Sequence, residues 1–303
     1  MKNKIIFLGS LNIDFVAEVN HLPQKGETVK SNKLNTFPGG KGANQAITAS
    51  RMGSEVYLVG GIGKDKSGEI MKKYLKRERV KVDYLKETDK ITGLGFINVD
   101  KEGNNSIVTY SGANNEINIE DVLKLKQILK NTDISVLHWD VNREAGEKFI
   151  ELSSKLENQV IFNYAPVEEI KEEIFEKVDV LIINEVEANQ LTDIKIKNKK
   201  NVLKAGNKIL DLGVSNIIFT LGGNGVYIIN KHDIKFVPAI KIKVKDTTAA
   251  GDTFIGAFAS YYKGNNIKEA VENAVKVAGL TVSKMGAYPS IPTLKDVKNF
   301  HRR

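Results

Sequence analysis

Short runs of apolar, often β-branched residues recur along the chain at 4–9, 56–60, 136–139, 160–163, 180–184, 217–221 and 225–229. Between most of them apolar positions return every three to four residues, over 44–52, 67–76, 120–129, 143–156, 202–212 and 267–284, as on one face of a helix. Strand and helix in alternation predict an α/β fold with a mainly parallel central sheet flanked by helices on both faces. From 225 to 240 the pattern changes to two antiparallel strands joined by Asn230-Lys231-His232-Asp233, so the sheet is expected to be mixed at that edge. Two segments break the alternation. Residues 92–99 and 105–111 read as a hairpin around Lys101-Glu102-Gly103-Asn104, and 15–37 reads as extended chain with no helix to cover it. Together they predict a small projecting β-sheet, from about 13–37 and 92–111, suited to a lid or a subunit interface. No repeat or linker marks a cut, so one domain over 1–303 is expected.

A chain of 303 residues hides roughly three quarters of its unfolded surface, and 41% apolar with 27% charged residues is globular composition. The longest apolar stretches, 5–8 and 180–183, fall far short of the roughly 18 residues of a membrane helix. Met-Lys-Asn-Lys precedes only a short apolar run with no cleavage site behind it, so a cytoplasmic protein is expected. Cysteine is absent, and His21, His138, His232 and His301 include no pair at the i, i+4 spacing of a helical zinc site. The net charge of +8 suits nucleic acid or an anionic small substrate. Its densest runs, at 72–81 and 195–200, carry no interleaved aromatics for base stacking, so they are taken as solvated faces and no nucleic-acid partner is expected.

In open α/β sheets ligands bind beyond the carboxyl ends of the strands. After the first strand, Asn12 and Asp14 share one side of an extended chain, fit either to hold sugar hydroxyls or to close a local turn. Pro38-Gly39-Gly40-Lys41-Gly42-Ala43-Asn44-Gln45-Ala46 is a glycine cluster that opens a helix, but it matches neither the P-loop nor the dinucleotide fingerprint. Within 245–254, small residues leave the amides of Ala249, Ala250, Gly251 and Asp252 free to face an anion at a helix start. Asp252 adds a carboxylate at the rim, as a base or as a simple cap. Asn184, Glu185 and Glu187 suit a hydrated magnesium ion or the first turn of a helix. Thr220-Leu221-Gly222-Gly223-Asn224-Gly225 suits a nucleotide or a plain hairpin.

Two of these segments, Gly39 to Ala46 and Asp246 to Phe254, resemble the two signatures of the PfkB carbohydrate kinase family, in order and at the expected separation. Asn12-Ile13-Asp14, Ser111-Gly112-Ala113-Asn114, Asn184-Glu185-Val186-Glu187, Thr220-Leu221-Gly222 and Gly286-Ala287-Tyr288-Pro289-Ser290 support the resemblance, which runs from about residue 5 to residue 292 and is strongest to ribokinase-type members. It implies a three-layer ribokinase-like fold with a lid sheet that also forms a homodimer contact. The activity implied is ATP-dependent phosphorylation of a sugar, for ribose at the 5-hydroxyl, with kinases for deoxyribose, another pentose or a ketohexose as neighbours. A non-catalytic sugar or nucleotide sensor is the reading from another class. By the family pattern Asp252 is the general base and Ala249, Ala250 and Gly251 form the anion hole. Asn12, Asp14, Gly39, Gly40, Lys41, Asn44 and Asp140, together with Asp252, would hold the sugar. Asn184, Thr220, Gly222, Gly225 and Gly251 would border ATP, and Glu187 would organise Mg2+ through water. Asp246, Thr248, Thr281, Lys284, Gly286 and Ser290 would surround K+. The chain departs from the pattern at Asp140, where a Glu is usual, and at Tyr164, where a Pro is usual. Trp139 and Tyr164 are either packing or part of the outer wall of the sugar pocket.

Overall fold

The computed structural model describes residues 2–300, so His301 lies outside the described residues. The first half of the chain forms β1 (Lys4–Leu8), β2 (Asn12–Glu18), β3 (Lys33–Gly39), α1 (Lys41–Arg51), β4 (Glu55–Gly63), α2 (Lys66–Arg77), β5 (Lys81–Thr88), β6 (Gly93–Val99) and β7 (Asn105–Tyr110). Next come α3 (Ile119–Leu123), α4 (Lys126–Leu129), β8 (Ile134–His138), α5 (Arg143–Lys155), β9 (Gln159–Asn163), β10 (Val180–Asn184), α6 (Glu185–Thr192) and α7 (Lys199–Leu210). The chain ends with β11 (Asn216–Thr220), β12 (Val226–Asn230), β13 (Ile234–Val237), α8 (Ala250–Tyr261), α9 (Ile267–Val282) and α10 (Leu294–Phe300).

Nine strands form one sheet in the order β13, β12, β11, β10, β9, β8, β1, β4, β5. All its pairs are parallel except β11 with β12 and β12 with β13, the mixed edge expected from the sequence. Alternate residues of each strand feed opposite cores: Ile5 and Phe7 of β1 pack with α1, α8 and α9, while Ile6 and Leu8 pack with α5 and α7. Burial on both faces is why these strands read as unbroken apolar runs. Trp139 and Tyr164 belong to the second core, in a file with Phe162 and Phe175 at ring separations of 4.8 to 5.7 Å, so packing is the role the structure gives them.

The projecting sheet is present, with strand order β3, β2, β6, β7. Leu34, Phe96, Val108 and Tyr110 fall on one of its faces by register, and all four are exposed. Three features differ from the pattern-based expectation. β5 was not expected, because as an edge strand it exposes alternate charged residues; α10 is a short helix; and the segment read as one helix over 120–129 breaks into α3 and α4 where Leu125 N–H donates to Val122 O. No helix among the described residues is long and apolar enough to cross a membrane.

After β1 the chain enters the small sheet, returns as β4 on one side of β1, and later lays β8 on the other. That reversal opens a crevice beyond the carboxyl ends of β1 and β8.

Candidate active site

Asn12 and Asp14 leave the crevice along β2, two residues apart and on the same face. Asn114 pins this turn: its Oδ1 accepts from Leu11 N–H at 2.8 Å and its Nδ2 donates to Asn12 Oδ1 at 2.8 Å. The Asp14 carboxyl group fits between two glycines of the flanking strands. A Cβ on Gly95 would stand 2.3 Å from Oδ1, and one on Gly39 would stand 1.9 Å from Oδ2. Burial, and then the charge of Asp252, raise the Asp14 pKa to about 6.

Gly40 caps α1 with φ 89°, and a Cβ there would meet Ser10 O at 2.6 Å, so glycine is required for α1 to start against the end of β1. From that start Lys41, Asn44 and Gln45 stand at i, i+3 and i+4, on one face of the helix. Lys41 Nζ lies 2.6 Å from Asp140 Oδ2, just beyond β8. Burial opposes the Lys41 charge, but Asp140, helped by Asp252 and Glu187, holds the ammonium above its ordinary pKa. His138 lies beneath, fully buried, with Ser10 N–H 3.1 Å from Nε2 and Asp140 N–H 3.2 Å from Nδ1. Burial brings its pKa down to about 4, so the ring is neutral at physiological pH.

Asp252 lies in the first turn of α8, a helix capped by Ala249 in the left-handed region with no side-chain cap. Its Oδ2 accepts from Asn44 Nδ2 at 3.0 Å and its Oδ1 from Gln45 Nε2 at 3.1 Å. Burial pushes this carboxyl above the usual aspartate range, against the opposing pull of Lys41 and the two amides. The cap reading therefore fails, since the side chain reaches across to α1 and caps nothing on its own helix. Of the four amides expected to face an anion, Ala250 N–H is taken by Thr247 O at 3.2 Å, while those of Ala249, Gly251 and Asp252 find no acceptor among the described residues. Open space lies beside Gly251, where a Cβ would meet nothing within 4 Å. Three unpartnered amides, the positive end of a twelve-residue helix and a carboxylate together form a seat for an oxyanion beside a base.

Asn184 and Thr220 end the neighbouring strands β10 and β11, paired in register. Asn184 caps α6, and Glu187 returns the bonds in a capping box, accepting from Asn184 N–H at 2.8 Å and from Nδ2 at 2.9 Å. Two acceptor positions of the Glu187 carboxylate are thus engaged and the remainder are open to water. Among the described residues no three His, Cys, Asp or Glu side chains gather as a direct metal site. Burial raises the Glu187 pKa, against the Asn184 amide and Lys41. Gly222 opens a short turn after β11 with free space where a side chain would stand, whereas Gly225 is required by packing, its Cβ position being 2.5 Å from Val237 O.

Of the residues expected around a monovalent cation, Asp246, Thr248 and Gly286 are in direct contact. Asp246 Oδ1 accepts from Thr248 N–H at 2.9 Å and from Thr248 Oγ1 at 2.6 Å, and its Oδ2 accepts from Gly286 N–H at 2.7 Å. The Thr281 and Ser290 hydroxyls are committed to Val277 O and Ala287 O, and Thr281 O accepts from Lys284 N–H at 3.0 Å. Lys284 extends to Asp296 at 3.9 Å. Arg51 ties this segment to α1: it holds Glu78, donates to Ile291 O and lies 5.0 Å from the centre of the Tyr288 ring.

Asn12, Asp14, Gly39, Gly40, Lys41, Asn44, Asp140 and Asp252 are thus brought around one crevice, with Asn184, Glu187 and Thr220 along the same edge of the main sheet. The sequence reading missed Gln45, Gly95, Asn114 and His138 as contributors. The i, i+4 spacing from Lys41 was a signal for Gln45; for the others the pairing of distant segments was needed.

Comparison with known proteins gives a family model described as pfkB family carbohydrate kinase, which matches residues 2–294. A ribokinase of Staphylococcus aureus (strain COL) is 35% identical over 301 residues, covering 98% of this chain and 99% of that one. A deoxyribokinase of Salmonella typhi is 29% identical over 299 residues, with 98% of each chain covered. The structure of an Arabidopsis thaliana ribokinase complexed with ribose and ATP superposes with a TM-score of 0.90 at 28% identity, covering 100% of both chains.

Proposed function

Because the chain belongs to the pfkB family of carbohydrate kinases, we propose that its acceptor is D-ribose and that the terminal phosphoryl group of ATP goes to the 5-hydroxyl. The observation that carries this reading is the placing of Asp252, held by Asn44 and Gln45 beside the free amides of Gly251 and itself and opposite Asp14 and Lys41. Asn12, Asp14, Gly39, Gly40, Lys41, Asn44 and Asp140 hold the sugar. The 5-hydroxyl proton passes to Asp252, and its oxygen bonds to the γ-phosphorus. The bond from that phosphorus to the bridging oxygen breaks, and ADP leaves. The amides at the start of α8, with Ala249 to Gly251 forming the turn, take the charge that develops on the phosphoryl oxygens.

Asn184, Thr220, Gly222 and Gly225 border the nucleotide, and Glu187 would hold a magnesium ion through water. When bound, that ion neutralises phosphate charge. Asp246, Thr248, Thr281, Lys284, Gly286 and Ser290, several of them through backbone oxygens, would hold a potassium ion, which would supply positive charge beside the anion seat. The small sheet acts as a lid within one kinase domain, excluding water that would otherwise accept the phosphoryl group. Its exposed row of Leu34, Phe96, Val108 and Tyr110 is covered by a second copy of the chain. Sedimentation velocity is then expected to show a dimer of 33.6 kDa chains, and a monomer at all concentrations removes that part of the reading.

Initial rates over a panel of sugars, followed by ADP release in potassium and in sodium buffer, test the acceptor. Ribose is expected to give the highest kcat/KM, with a KM below about a millimolar and faster turnover in potassium. A lead for deoxyribose, another pentose or a ketohexose replaces ribose as the acceptor. Tight sugar binding with no ADP release for any sugar would favour a sensor.

A further inference from the structure

Gln45 is fully buried in α1, and its side chain makes one hydrogen bond, from Nε2 to Asp252 Oδ1 at 3.1 Å. Its Oε1 is buried without a partner. Burying an amide oxygen unpartnered is unfavourable, and a methionine or leucine would fill the same space without that penalty. What offsets it is the bond to a carboxylate, which is stronger when the acceptor is ionised. We infer that Gln45 is a positioning residue for Asp252, fixing the plane of its carboxyl group and favouring the ionised form that accepts the hydroxyl proton. Asn44 serves Oδ2 in the same way, and its own Oδ1 is likewise buried without a partner.

This inference rests on Asp252 being the base. The other charges that act on Asp252 are Lys41 at the start of α1, which favours ionisation, and Asp140 beyond β8 and Asp14 on β2, which oppose it. The charge of Asp252 helps to raise the pKa of Asp14, so the acid limb of a rate profile reports on both. The shift of that limb between two proteins is the informative quantity.

The test is kcat against pH at saturating sugar and ATP for the parent and for Gln45→Met, which matches the volume and removes the donor. The acid limb is expected to move up by about one to two pH units, with the loss in rate greatest at low pH and shrinking as pH rises. A purely structural role would instead lower kcat by one factor across the range and leave the limb in place, and that result overturns the proposal. A second readout needs no Gln45 variant. In the parent, the side-chain amide protons of Gln45 are expected to shift in NMR spectra as pH falls through the limb and to stay fixed in Asp252→Asn. Amide signals that ignore pH in the parent overturn the proposal as well. Full turnover in Asp252→Asn would remove the base itself, an outcome separable from both.

Discussion

Asp252→Asn is expected to fold and to turn over about 10²- to 10⁴-fold more slowly than the parent. The substitution keeps the volume and removes the proton acceptor, so kcat and kcat/KM should fall together while KM for the sugar changes little. Its effect on stability has a definite sign. Burial raises the pKa of Asp252 above the unfolded value near 3.8, so between the two values the folded state binds more protons than the unfolded state. Stability of the parent therefore falls as pH rises from about 4 through the folded pKa, and the penalty persists above it. Asparagine has no such slope, so at neutral pH the variant should melt no lower than the parent. The measurements are coupled ADP release at saturating ribose and ATP, and thermal unfolding at several pH values. A variant that turns over at the parental rate would remove Asp252 from the chemistry.

The interior strands were legible because helices cover both faces of the main sheet, which leaves unbroken apolar runs such as 180–184. β5 was not, since its exposed, charged positions belong to an edge. The break between α3 and α4 carries no glycine or proline, and only a backbone bond from Leu125 to Val122 marks it. In the site, Asn12, Asp14, Lys41 and Asp252 could be singled out because each is a polar residue beside glycines or at a strand or helix end, where apolar periodicity stops. For Gln45 the spacing from Lys41 signalled the helix face but not the role, because its partner lies 207 residues away. Gly95 is equally silent: only the pairing of β6 with β2 shows that its missing side chain is the space Asp14 occupies. Trp139 and Tyr164 show the converse. The sequence left packing and the outer wall of the sugar pocket both open for them, and the structure places both in the second core.

Gly256→Ala should lower turnover by about 10²-fold while changing stability little. Gly256 lies one turn after Asp252 on α8, where that helix crosses α1 at Gln45 and Thr48. A Cβ there would stand 2.2 Å from Gln45 O and 2.7 Å from Thr48 Cβ, and a backbone oxygen cannot rotate away. The helices must separate by about an ångström to restore van der Waals contact. That movement draws Asp252 away from Asn44 and Gln45, and misplacement on this scale costs about 10² in rate. The stability terms nearly cancel: overpacking costs about 1–3 kcal/mol, while replacing a mid-helix glycine by alanine returns about 1 kcal/mol. The net loss of about 0–2 kcal/mol corresponds to a few degrees of melting temperature. Gly279→Ala on α9 is the control. Its Cβ would meet Ile240 Cδ1 at 2.3 Å and Cγ1 at 2.4 Å, so it too is overpacked, but against a side chain that belongs to neither α1 nor α8, and turnover should stay near the parental value. Equal losses of activity in the two variants would show that the close crossing of α1 and α8 does not set the position of the base.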